Sequence, residues 1–147
     1  CDNETTVWLA PGLDTEDVRA WFRFHCGTVL VAEPARAAFA FVPGVEALPD
    51  LSCFHQGEAE YPDRSTTICL GGIEERETAA ITASGPGIVG NCDFSCRMPA
   101  GFLAQWQRNH EQFPLGVDML LCGPGRLTGL PRTTCLSPAA DEVSQCM

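Results

Sequence analysis

The chain predicts a layered α/β or α+β fold, on three observations. Apolar runs of strand length recur along its 147 residues, two segments carry helix-period apolar faces, and Pro and Gly punctuate nearly every junction between them. A length of 147 residues suits one domain with a packed core that needs no metal or disulfide staple.

Thr6–Leu9 reads as a short strand closed by Pro11-Gly12. Asp14 is expected to cap the helix that follows, with Glu16 and Asp17 complementing the dipole in its first turn. Val18, Trp21, Phe22 and His25 repeat at helical spacing, so one face is apolar and His25 is expected to be satisfied in the core or at the C-cap. Gly27 ends the helix and Thr28–Val31 forms the next strand. Ala37–Val42 predicts a buried strand, and Pro43–Tyr61 a loop with a short helix. Thr66–Leu70 and Thr78–Thr82 read as paired strands around a charged tip, Glu74–Glu77, ahead of a turn at Gly85-Pro86-Gly87. Pro99 opens a second helix that carries Phe102, Leu103, Trp106, His110 and Phe113 on one side, and Pro114 stops it. Val117, Met119 and Leu121 alternate on a strand, Gly123-Pro124-Gly125 turns the chain, and Leu127 and Leu130 lie on the return. Residues 1–136 are read as one domain and 137–147 as a frayed polar tail.

Charge and composition remove several function classes. Nine basic against nineteen acidic residues give a formal net charge of −10, which argues against nucleic acid and anionic membrane as partners. No apolar run reaches the ~18 residues of a membrane span. All nine basic residues are Arg, and without a Lys the chain cannot form the Schiff base that holds pyridoxal phosphate. The nine cysteines contain no Cys-x-x-Cys pair, and reduced thiols in a cytoplasmic protein are expected. Cys92, Cys96 and His110 make at most a partial zinc set, so no metal is expected.

Two runs concentrate the chemistry. Phe113-Pro114-Leu115-Gly116-Val117-Asp118 breaks a helix and then sets a carboxylate inside an apolar strand. Such a carboxylate needs a partner, and Arg132 comes within reach once the hairpin folds back. A structural ion pair is the expected assignment, with a ligand role as the alternative, since ion-pair networks perturb groups without being active. Pro131-Arg132-Thr133-Thr134 offers a forked cation and two hydroxyls, the groups that bind phosphate, though Thr is equally a good strand residue. Arg23 suits the end of the first helix whatever it binds. Neither His25 nor His110 has a nucleophile nearby in an identifiable motif. Gly85-Pro86-Gly87-Ile88 lacks the Lys-Ser/Thr of a phosphate-binding P-loop.

Five segments in register resemble the PhnH family, a component of the bacterial carbon–phosphorus lyase system. They are Asp2–Leu9, Arg23-Phe24-His25, Gly85–Ile88, Phe113–Asp118 and Pro131–Thr134. The resemblance implies a layered mixed sheet with flanking helices, like the large domain of pyridoxal-phosphate transferases but without cofactor or cofactor lysine. It implies association with the lyase subunits G, I and J, pairing with itself in isolation, and a part in displacing adenine from ATP by methylphosphonate. Arg23, His25, Asp118, Arg132, Thr133 and Thr134 are then ligand or interface candidates, with no catalytic residue assigned. It further implies an N-terminal helical region ahead of Cys1, whose loss would expose apolar surface and favour self-association. Two other classes remain: a free-standing enzyme acting on a phosphorylated small molecule, with Asp118 or His25 as acid/base, and, less favoured, a thiol-based metal or redox module.

Overall fold

The computed structural model describes residues 1–73 and 75–139. Six strands form the main sheet: β1 (Thr6–Leu9), β2 (Val29–Leu30), β3 (Phe39–Val42), β4 (Thr67–Leu70), β7 (Asp118–Gly123) and β8 (Arg126–Leu130). Their order is β2-β1-β3-β4-β7-β8, and the first five run parallel. Only β8 is antiparallel, paired with β7 across the tight turn at Pro124-Gly125. A second, antiparallel sheet has the order β6-β5-β9, built from β5 (Glu75–Ser84), β6 (Cys92–Cys96) and β9 (Cys135–Pro138). The fold is therefore mixed α/β, as expected, with a second sheet that was not.

Helix α2 (Phe102–Glu111) covers one face of the main sheet, with Phe102 and Trp106 stacked and buried at its centre. They pack into one core with Trp8, Ile68, Leu70 and Met119. The alternation Val117, Met119, Leu121 turns these side chains inward, each almost fully buried. Helix α1 (Glu16–Cys26) reaches the opposite face through Phe22, whose ring lies 5.4 Å from that of Phe41.

Several expectations need correction. Thr15, not Asp14, caps α1: its hydroxyl accepts from the Val18 amide at 3.3 Å, while Asp14 pairs with Arg19. No residue of α1 is buried, and His25 and Trp21 of its nominal apolar face are exposed, as is Phe24 beside them. The periodicity is real, but the surface it meets covers only Phe22 and Val18 in part. β4 and β5 are not partners: β4 sits between β3 and β7, and β5 belongs to the second sheet. The charged tip dissolves accordingly, since β5 already begins at Glu75, and Glu74 lies outside the described residues. Phe113 is exposed rather than on the buried side with Phe102 and Trp106. Ser137 and Pro138 of the expected tail belong to β9, while 140–147 lie outside the described residues.

Candidate functional site

The Arg132 guanidinium is the centre of the most connected polar cluster. β8 returns the chain to the amino end of β7, and a tight turn closed by the Thr134 amide on the Pro131 carbonyl points Arg132 inward. Nε and Nη2 donate to the two carboxylate oxygens of Asp118, Nη2 also to Ser65 Oγ, and Nη1 to the carbonyls of Pro62 and Pro114 at 3.1 Å each. A guanidinium has five N–H donors, and every one is taken by this protein. The Arg132 amide adds a sixth bond, to Asp118 Oδ1 at 2.8 Å. Arg132 is 9% exposed, and the Asp118 side chain keeps a third of its surface in water.

The loop before β7 is shaped to receive this cation. The Phe113–Pro114 peptide is cis, and Gly116 adopts a φ of 115°. A Cβ on Gly116 would lie 2.9 Å from both the backbone oxygen and Oδ1 of Asn109. Asn109, buried on α2, accepts from the Val117 amide at 2.7 Å and donates to the Val117 carbonyl at 2.9 Å. That pair of bonds fixes where the helix ends and the strand begins.

The backbone of the Thr-Thr pair is also packed against its neighbours. Thr134 is buried, and its carbonyl accepts from the Trp106 indole at 2.8 Å. Thr133 is half-buried, and its carbonyl oxygen would lie 3.0 Å from a Cβ on Gly85. The Gly85-Pro86-Gly87 turn thus packs against the Arg-Thr-Thr turn, bringing together three of the segments singled out in the sequence.

Arg23 and His25 stand apart. They lie on α1, which joins β1 to the β2 edge of the sheet, whereas Arg132 follows β8 at the opposite edge. Arg23 pairs with Glu16 at 3.6 Å, and His25 sits between the Trp21 and Phe24 rings. Neither joins Asp118 and Arg132.

Position in the sheet decides what the Arg132 cluster can do. It gathers at the amino ends of the parallel strands, whereas ligands of open α/β sheets bind outside the carboxyl ends. Two clefts among those at the carboxyl ends flank β3, β4 and β7. One, of about 430 Å³, lies among Pro43, Gly44, Glu46, Gly72 and Arg97, bridged by an Arg97–Glu46 ion pair at 2.8 Å. The other, of about 530 Å³ and mainly apolar, lies between the two sheets against Ile73, Phe94, Cys96, Leu121 and Pro124. Among the described residues no group of three or more His, Cys, Asp or Glu could hold a metal, so Cys92, Cys96 and His110 do not assemble as one.

Sequence reading missed Ser65 and the Pro62 and Pro114 carbonyls, which have no signature, and also the neighbour of His110. Its Nδ1 lies 2.9 Å from the Arg132 carbonyl oxygen, and its Nε2 lies 3.3 Å from Cys135 Sγ. No sequence motif links His110 to a thiol; β9 brings Cys135 back over α2 from 25 residues away. All eight cysteines among the described residues are free. Burial pushes the Cys69 thiol up to about 11, with Cys122 adding to it.

Together these features define a mixed α/β domain whose conspicuous charged motif is engaged by the protein's own groups, with two clefts at the other end of the sheet. Residues 1–137 match the model of the family described as bacterial phosphonate metabolism protein (PhnH). The chain belongs to that family. It is 35% identical over 136 residues to the alpha-D-ribose 1-methylphosphonate 5-triphosphate synthase subunit PhnH of Rhizobium meliloti (strain 1021), a match covering 91% of this chain and 68% of that protein. No helix among the described residues is long and apolar enough to cross a membrane.

Proposed function

We propose that this chain is a subunit of the complex that makes ribose 1-methylphosphonate 5-triphosphate, supporting displacement of adenine from ATP by methylphosphonate in the cytoplasm. The observation that carries the proposal is its likeness over 136 residues to a protein named as a subunit of that synthase. The saturated Arg132 supports it from the chemical side: the forked cation of the Arg132-Thr133-Thr134 run has no donor left for a phosphate. A free-standing phosphate-binding enzyme built on Arg132, Thr133 and Thr134 finds no support in that arrangement. In this reading the lyase subunits G, I and J are the partners, the chain pairs with itself when alone, and catalysis belongs to the assembly. Asp118 and Arg132 hold the β7–β8 hairpin against the loop before β4, and so shape a surface for partners. The fold is read as kin to the large domain of pyridoxal-phosphate transferases without the lysine.

The test is genetic. The full-length gene should restore growth on methylphosphonate to a bacterial strain whose own PhnH has been deleted, and its product should co-purify with G, I and J. Normal expression and assembly without growth would refute the role.

A further inference from the structure

Nothing in the proposed complex role uses the pair formed by Cys135 and His110. Cys135 opens β9 and is exposed, with Sγ 3.3 Å from Nε2 of His110 in the last turn of α2. On the far side of the ring, Nδ1 lies 2.9 Å from the Arg132 carbonyl oxygen. A carbonyl can only accept, so the ring proton sits on Nδ1 and Nε2 turns its lone pair toward the thiol. The orienting carbonyl is itself held, because the Arg132 side chain is tethered at every donor and the turn is closed on Pro131. A nucleophile, a base within reach and a third group that orients the base make up the arrangement that activates cysteines in general.

We propose that Cys135 is a nucleophilic thiol that exchanges with low-molecular-weight disulfides, with His110 as its base. The thiol proton passes from Sγ to Nε2, and the thiolate attacks one sulfur of the small disulfide. A new S–S bond forms at Cys135 as the old one breaks, and the departing thiolate takes the proton back from Nε2. One disulfide replaces another, so no external oxidant is required. Acyl chemistry at the same sulfur needs donors for an oxyanion, but the neighbouring Trp106 indole and the Arg132 guanidinium are already spoken for by protein acceptors. Exchange moves charge only from sulfur to sulfur and needs no such donors. The other histidines serve elsewhere: His25 lies between aromatic rings, and Nδ1 of His55 accepts from the Gly57 amide.

The experiment incubates the full chain with oxidised glutathione at neutral pH, quenches in acid, and follows each cysteine by tandem mass spectrometry. Cys135 should form its mixed disulfide about tenfold faster than the exposed Cys53 and Cys92. His110→Gln should bring it down to their rate, while buried Cys96 stays unmodified and reports an intact fold. Equal rates for Cys135 and Cys53 in the unaltered protein would overturn the proposal, as would an undiminished Cys135 rate in folded His110→Gln protein. If Cys96 reacts in the variant, the fold has opened, and the comparison within the unaltered protein decides alone.

Discussion

Replacing Arg132 with methionine keeps much of the side chain's volume and removes its charge and every guanidinium bond. Asp118 keeps one bond, from the backbone amide of residue 132, but loses its two guanidinium contacts. Ser65 Oγ and the carbonyls of Pro62 and Pro114 lose a donor each. Breaking a buried pair by removing one partner costs about 3–5 kcal/mol, because the survivor is left uncompensated. Asp118 keeps 34% of its side chain in water, which solvates the orphaned carboxylate and argues for the lower end, about 3 kcal/mol. A domain of this size loses about 2–4 °C per kcal/mol, so the melting point should fall by roughly 6–12 °C. Urea unfolding followed by tryptophan fluorescence measures the loss directly. Pairing Arg132→Met with Asp118→Asn should cost less than the sum of the two, since the second change removes the carboxylate that the first strands. A loss below about 1 kcal/mol for Arg132→Met would refute the assignment of Arg132 as a structural cation, since one unmet buried polar group alone is worth that much.

Three further predictions concern the frame around this cluster. Gly116→Ala forces a side chain into a φ of 115° and to 2.9 Å from Asn109, so a loss of about 1–3 kcal/mol should appear in the same urea assay. Thr15→Ala removes the α1 cap and should cost about 1 kcal/mol, read as lower helicity by circular dichroism near the transition. The Thr5 hydroxyl, the Arg19 guanidinium and the Ser52 hydroxyl lower the Asp2, Asp14 and Asp50 carboxyls respectively, so these groups bind protons more readily unfolded than folded. Their stabilisation is full above the ordinary carboxylate range and lost as pH falls below about 4, so urea midpoints should be flat from pH 7 to 5 and decline beneath it.

Local signals were legible where one residue type had one physical use. Gly27 takes a left-handed φ at the end of α1, and the Val117–Met119–Leu121 alternation marks the buried face of β7. The Asp118–Arg132 pair was legible because a carboxylate in an apolar strand demands a cation and a hairpin delivers one. What stayed hidden was set by contacts between distant segments. The pattern of β5 suits any sheet, and its pairing with β6 and β9 decides which one. Arg-Thr-Thr reads the same whether its donors face a phosphate or protein carbonyls, and the choice rests on Pro62 and Pro114, whose side chains carry no polar atom. Nothing in the sequence marks Asn109, which is buried and bonds both backbone groups of Val117.

Helix α1 has a consequence for how the molecule opens. It contributes no buried residue, and its ring contact with the sheet is Phe22 against Phe41. Beside it, β2 contributes only two residues to the sheet edge. Regions with so few buried contacts exchange their amide hydrogens through small local openings rather than through global unfolding. Amide exchange should therefore be fastest in α1 and β2 and slowest in β4, β7 and α2 around Trp106. The protein is built with one soft edge and one stiff edge, and the stiff edge is the one that carries Arg132.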